Sequence, residues 1–151
     1  MMKMIEMMLQ THPRADTAQT AERAAVIDAL AVCAQACGIC ADACLGDSLH
    51  LDALRPCIQA SLDCADACGT TARLLNRPVG MWNAPLHVAQ LHACAVACQL
   101  CADACDAWAD EHSHCRICAE VCAHCKEQCE LLLVELASAE TQNSEEAAFS
   151  S

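Results

Sequence analysis

The sequence contains few aromatic residues, few glycines and prolines, and little positive charge. Among its 151 residues only Trp82, Trp108 and Phe149 are aromatic, and tyrosine is absent. A core without large rings has to be filled by small side chains, which suits helices that approach one another closely. The cysteine-rich parts of the chain contain a single glycine and no proline. These parts therefore read as continuous helix rather than as loops.

The sequence also has no uninterrupted run of about 18 apolar residues, so no transmembrane helix is predicted. Eight lysines and arginines stand against 20 aspartates and glutamates, which gives a net charge of −12. This charge argues against binding to nucleic acid or to an anionic membrane surface. The first residues, MMKMIEMMLQTHPR, include neither a signal-peptide core nor twin arginines. We therefore predict a cytoplasmic protein, whose thiols stay reduced.

Against these absences stand 16 cysteines, almost all separated by steps of three or four residues. Such steps are the period of one face of an α-helix. The cysteines fall into four blocks, one for each of four predicted helices. The blocks are Cys33, Cys37, Cys40 and Cys44; Cys57, Cys64 and Cys68; Cys94, Cys98, Cys101 and Cys105; and Cys115, Cys118, Cys122, Cys125 and Cys129.

Helix start and stop signals divide the chain into a leader (1–15), a helical domain (16–137) and a Ser/Glu/Ala-rich tail (138–151) that we expect to be disordered. Asp16 with Gln19 fits a capping box for the first helix, and Gly46 fits its end. Asn83 and Ser113 fit the caps of the third and fourth helices. The predicted helices span about 16–45, 48 or 52 to 75, 84–108 and 114–137.

An internal repeat supports this division. A shift of 61 residues places CAQACGICADAC on CAVACQLCADAC with nine of twelve positions identical, and it places Ser61 on Cys122 and Leu54 on Cys115. Two copies of one helical hairpin follow each other, with short connections inside each hairpin. The predicted fold is all-α, an up-down-up-down four-helix bundle with a cysteine-lined core.

Stripes of sulfur facing the centre of a bundle indicate a site for soft metal ions, because thiolates select Cu(I), Zn(II) and iron–sulfur clusters. Structural zinc needs four tetrahedral ligands, and straight helices show no evident division into closed sets of four. Iron–sulfur motifs such as CxxCxxCxxxCP end in proline, and no cysteine here precedes a proline. The pattern favours many Cu(I) ions that share thiolates, up to about one ion per cysteine.

Three other interpretations of the cysteines have to be weighed. One or two buried cysteines would be ordinary small core residues, but 16 are too many for that role. A general thiol buffer for Zn(II) or Cd(II) and a thiol redox protein stay open, although the redox protein needs exposed cysteines of low pKa. No catalytic constellation is present in the sequence, so we predict that the protein is not an enzyme. Buried neutral thiols should let the metal-free protein fold, and metal loading should then release protons.

The two ends of the predicted bundle differ. At one end the cysteines run almost to the helix ends, close to His50, His112 and His114. We predict that metal enters at this end. The alternative is that these three are ordinary solvated histidines. At the other end His87 is either a terminal ligand or a buried core histidine. The stripes continue there as an apolar plug of Val26, Leu30, Leu75, Leu91, Leu132, Leu133 and Leu136.

The N-terminal methionines leave two interpretations. Met2, Met4, Met7 and Met8 could capture copper through their thioethers. The alternative, which we favour, is that they pack on the bundle.

The segments CAQACGICADAC, SLDCADAC, CAVACQLCADAC and CRICAEVCAHCKEQC resemble the bacterial four-helix-bundle copper storage proteins, over residues 17–137. The resemblance implies several Cu(I) ions per chain, with the 16 cysteines as ligands, metal entering at the histidine end, and a homotetramer. Without a Tat-type leader the chain is similar to the cytosolic branch. Neither a copper chaperone nor a receiving cuproenzyme is specified by the resemblance.

Overall fold

The computed structural model describes residues 2–13, 20–77 and 83–149, which contain five helices. The helices are α1 (Met2–Gln10), α2 (Thr20–Leu45), α3 (Leu51–Leu75), α4 (Ala84–Asp106) and α5 (Ser113–Phe149). Four of them correspond to the four cysteine blocks.

The turns follow the predicted stop and start signals. After α2 ends at Leu45, the amide of Gly46 donates to the Ala43 carbonyl (3.0 Å), and the amide of Asp47 donates to the Cys44 carbonyl (3.1 Å). Asn83 occupies the cap position of α4, but its side-chain amide donates to the Arg77 carbonyl (3.0 Å) instead of capping the helix. The proposed capping box of Asp16 and Gln19 lies outside the described residues.

Helices α2 to α5 form a ring in which each helix packs against its two neighbours. Helix α2 packs against α3 and α5, and α4 packs against the same two helices. The predicted all-α four-helix bundle is confirmed, and its axis is lined by cysteines. Pro56 is the sixth residue of α3, so its missing amide removes one helical hydrogen bond, the one to the carbonyl of Asp52 in the first turn.

The two ends of the chain differ from expectation. The segment 138–149, expected to be disordered, continues α5 as a largely exposed helix to Phe149. Its alanines, glutamates and glutamine are good helix formers, and a helix already nucleated in the bundle extends without a new nucleation step.

The leader contains the helix α1, which packs on α2 through Leu9, with Ile5 against the same core. The expectation that the methionines pack on the bundle is wrong for Met4, Met7 and Met8, because Ile5 and Leu9 occupy the one face that so short a helix can bury. The side chain of Met2 lies outside the described residues.

Two helices, Thr20–Leu45 and Ala84–Asp106, are long and apolar enough to cross a membrane by length and composition alone. Both carry a complete stripe of buried cysteines that faces the axis of the bundle. Helices in the core of a bundle can be as long and as apolar as membrane-spanning helices. The position of these two helices in the core therefore accounts for their composition.

Candidate metal centre

All 16 cysteines are buried, none more than 1% exposed, and all are free thiols. Helical steps of three and four residues keep the thiols of each helix on one face, and the packing of α2 to α5 turns the four faces toward one another. We call the resulting column of sulfur atoms the thiol lumen. Its ligand atoms come from all four helices of the bundle.

The thiol lumen is continuous. Sulfur atoms contact one another within and between helices at 3.4–4.0 Å, with the closest approach between Cys57 and Cys105. Cys37 lies 3.5 Å from Cys122, and Cys33 lies 3.8 Å from the same sulfur. Ser61, where the repeat lacks a thiol, is fully buried in the lumen, with its hydroxyl oxygen 3.6 Å from the Cys101 sulfur. Its oxygen interrupts the ladder at one point.

Several groups of these side chains are close enough to hold a metal ion. In each group one ligand atom per residue lies within 4.8 Å of all the others. The groups are Cys33/Cys68/Cys98/Cys125, Cys33/Cys37/Cys64/Cys122, Cys37/Cys101/Cys118/Cys122, Cys40/Cys44/His114/Cys115 and Cys40/Cys105/Cys118.

Sets of four ligands, which the sequence did not reveal, are thus present, but they are not closed. Cys33, Cys37, Cys40, Cys118 and Cys122 each belong to two groups. Isolated tetrahedral zinc sites would each need a separate set of four ligands. Shared thiolates instead bridge neighbouring ions, and soft Cu(I) accepts such sulfur ligands.

Burial in the thiol lumen favours neutral thiols over thiolates. Burial raises the pKa of Cys44 to about 11 and also raises that of Cys115, because a thiolate loses its hydration in the interior. A hydrogen bond from a neighbouring thiol acts in the opposite direction, and the one with Cys105 lowers the pKa of Cys57. A lumen of uncharged thiols packs as small apolar side chains do, so the bundle has a core without metal.

One end of the thiol lumen meets a histidine cluster. The half-buried His114 lies with its Nδ1 atom 3.4 Å from the Cys40 sulfur and 3.6 Å from the Cys115 sulfur. His112 stacks on His114, with ring centroids 5.0 Å apart. The two histidines thus extend from the first thiols of the lumen toward the solvent.

Asp47 fixes the outer part of this cluster. Its Oδ2 atom accepts hydrogen bonds from His50 Nδ1 (2.9 Å) and from His112 Nε2 (3.0 Å). The hydrogen bond from His50 is the main reason why the pKa of Asp47 is lowered. Trp108 stacks on His112 at 5.9 Å and lies 5.8 Å from the His50 ring. The sequence predicted that His50, His112 and His114 lie at the same end of the bundle. It did not predict that Asp47 would bridge two of them or that Trp108 would contact them.

The other end is closed by the predicted apolar plug. Val26, Leu30, Leu75, Leu91, Leu132 and Leu136 are buried, and Leu133 is half-buried against them.

His87 lies at this closed end, buried, and its Nδ1 atom accepts a hydrogen bond from Arg23 at 3.3 Å. Burial lowers the pKa of His87, and the charge of Arg23 lowers it further. His87 belongs to none of the metal-binding groups among the described residues. Its surroundings favour a neutral core histidine over a terminal ligand.

A family model described as "Copper storage protein" matches residues 19–134. Among solved structures, the chain is similar to the copper storage protein Ccsp from Streptomyces lividans loaded with 10 copper equivalents. The two are 39% identical, with a TM-score of 0.81, over 86% of this chain and 98% of that one.

Two further structures from Streptomyces lividans are similar. A cytosolic copper storage protein with five coppers is 43% identical, with a TM-score of 0.71, over 75% of this chain and 92% of that one. A Ccsp mutant in which a histidine is replaced by alanine is also 43% identical, with a TM-score of 0.72, over 76% of this chain and 94% of that one. Among curated proteins, none matches the chain.

Proposed function

This chain belongs to the copper storage protein family, and on that premise we propose that it stores Cu(I) on the 16 cysteines of the thiol lumen. The observation that carries the proposal is the sharing of Cys33, Cys37, Cys40, Cys118 and Cys122 between neighbouring metal-binding groups. Shared thiolates allow many ions in one lumen, which is what a store requires. Relatives described as loaded with five and 10 coppers support the storage of several ions in one chain.

Copper binding involves no catalysis in this proposal. Each thiol exchanges its proton for a share in a Cu(I) ion, and the protons leave to solvent. The thiolates stabilise Cu(I), and the buried lumen keeps water away from it. A storage role needs neither a substrate nor turnover.

We propose that copper enters and leaves through the histidine cluster. His114 contacts Cys40 and Cys115, and His112 and His50 extend the same path to the surface. An imidazole can hold a metal ion between solvent and the first thiols, whereas the leucine plug offers no ligand atom at the opposite end.

Two proposals concern the setting of the protein. The similar protein with five coppers is described as cytosolic, and we infer the same compartment for this chain.

Exposed apolar residues on the outside of the bundle, including Ile39, Val96, Leu100 and Val134, support the homotetramer implied by the family resemblance. Light scattering on the purified protein measures this assembly.

The main test is an anaerobic titration of the reduced protein with Cu(I) in the presence of a coloured Cu(I) chelator, with and without excess Zn(II). We expect the protein to take up about one ion per cysteine before the chelator colours, and zinc to have no effect. Saturation at about four ions, or displacement by zinc, would instead indicate tetrahedral zinc buffering.

A pair of matched double variants sharpens this test. Cys37→Ala with Cys122→Ala removes two sulfurs that each belong to two groups, whereas Cys94→Ala with Cys129→Ala removes two that belong to none. The shared pair should reduce the copper capacity more than the other pair. Equal losses would contradict storage on bridging thiolates.

The rival redox function makes a different prediction. It needs exposed thiols of low pKa, but all 16 thiols here are buried. Native metal-free protein should therefore react slowly with an alkylating reagent and fast after unfolding. Rapid alkylation of the native state would favour the redox function.

A further inference from the structure

Helix α1 carries three exposed methionines on a single face. Met4, Met7 and Met8 are 54%, 55% and 66% exposed. Their positions, i, i+3 and i+4, place the three side chains next to one another on the helix surface. Ile5 and Leu9, which pack against the core, lie on a different side of the helix. The methionines therefore take no part in anchoring α1 to the bundle.

The methionine side chains form the floor of an open groove. The groove has a volume of about 480 Å³ and is lined by Lys3, Met4, Met7, Met8 and Thr11. The Thr11 hydroxyl donates one hydrogen bond that is shared between the carbonyls of Met7 (2.9 Å) and Met8 (3.1 Å), which secures the last turn of α1. The donor atoms are thus carried by an ordered turn of helix.

We propose that Met4, Met7 and Met8 form a Cu(I) site on α1, outside the thiol lumen. The inference rests on the proposed copper storage, because it is that function which brings Cu(I) to the protein. Thioethers are soft ligands that select Cu(I). Three rotatable bonds let each methionine turn its sulfur toward a common ion.

The chemistry of the site differs from that of the lumen. A thioether carries no proton and no charge, so it binds Cu(I) without releasing a proton. Its affinity is lower than that of a thiolate, and the ammonium of Lys3 in the same groove lowers it further. The site therefore fills after the lumen, and it holds copper that exchanges readily with donors or recipients outside.

The alternative occupant of this face is a second protein chain. The exposed apolar residues on the bundle helices are mainly Val, Ile and Leu, whereas the large exposed apolar side chains described on α1 are all methionines. Burial of surface does not require sulfur, and leucine would serve as well. The replacement of methionine by leucine therefore separates ligand chemistry from apolar contact.

The test uses full-length reduced protein labelled with ¹³C at the methionine methyl groups. The lumen is first filled with Cu(I), and the amount is measured with a Cu(I) chelator; further Cu(I) is then added as its acetonitrile complex. The methyl resonances of Met4, Met7 and Met8 should shift together and saturate at about one extra ion per chain. The methyl of Met81, in the segment between α3 and α4, is the internal control and should not move.

A triple variant, Met4→Leu, Met7→Leu and Met8→Leu, provides the matched control. It should lose the extra ion while the lumen capacity and the molecular mass by light scattering stay unchanged. The inference is overturned if the three methyls do not shift, if Met81 or the first two methionines shift instead, or if the leucine variant keeps the extra ion. Failure of the lumen to load would overturn the proposed storage function, and the chelator measurement detects that separately.

Discussion

The two ends of the thiol lumen are bordered by different kinds of residue. At one end His114 contacts the first thiols, His112 stacks on His114, and Asp47 accepts a hydrogen bond from His112. At the other end the cysteine stripes meet Leu75 and Leu91, both fully buried. One helical stripe can therefore continue either as ligands or as an apolar plug, and that choice gives the lumen its direction.

The difference also separates two tasks. Leucine side chains contribute more to the stability of the metal-free fold than cysteines do, because they bury more apolar surface. Imidazole and carboxylate groups contribute less to folding but can exchange protons and metal ions. The four predictions below test this separation, beginning with the largest expected effect.

Removal of a plug leucine should destabilise the metal-free protein strongly. We expect Leu91→Ala to lower the free energy of unfolding by about 2–5 kcal/mol, because it leaves a cavity where Leu91 is now fully buried. Leu49→Ala, in the turn between α2 and α3 and 89% exposed, should change it by no more than about 0.5 kcal/mol. Urea denaturation of both variants measures the effect, and equal losses would show that the plug is not a separate core. The copper capacity of both should match that of the wild type.

Removal of the histidine at the mouth of the lumen should slow copper uptake. We expect His114→Ala to reduce the loading rate by roughly 10–100-fold, because Cys40 and Cys115 lose the imidazole beside them. The loading rate is measured from the rise of copper–thiolate absorbance after rapid mixing. His124→Ala, at an exposed position of α5, is the control. If the two variants load at the same rate, copper enters elsewhere.

The buried histidine of the closed end should make stability depend on pH. The pKa of His87 is lowered in the folded protein, so below about pH 6.5 the unfolded chain binds a proton that the folded chain does not. Stability is fully present above that pH and falls as the pH drops toward the folded pKa. His87→Gln should flatten this dependence relative to the wild type, as followed by urea denaturation between pH 7 and pH 5. A parallel dependence in both proteins would show that His87 is not the responsible group.

Completion of the sulfur ladder should have the smallest effect. Ser61→Cys adds a thiol where the repeat lacks one, near Cys101 and Cys105. The copper capacity should rise by about one ion per chain. Ser61→Ala keeps the volume small without adding sulfur and should leave the capacity unchanged. A rise in neither variant would mean that this level of the lumen is already saturated.

Much of the fold was predictable because its signal is local. The spacing of the cysteines lies within single helices, and the shift of 61 residues pairs the helices into two hairpins. The end of α2 at Leu45 agrees with the stop signal of Gly46, and α4 starts at Ala84 as predicted although the Asn83 side chain does not cap it. The helical tail was not predictable, because composition does not show whether a helix already formed in the bundle continues. The exposure of Met4, Met7 and Met8 was not predictable either, because composition does not show which face a short helix can bury.

The local spacing of the cysteines is sufficient to specify four helices that each present a face of thiols, since helical periodicity depends only on positions along one chain segment. The tertiary structure decided which thiols meet: Cys33 with Cys122, and Cys57 with Cys105. It also decided that Asp47 joins His50 to His112 and that Arg23 hydrogen-bonds with His87. These contacts connect residues far apart in sequence, and they depend on how far each helix is shifted and rotated against its neighbours, which the side-chain packing of the whole bundle sets.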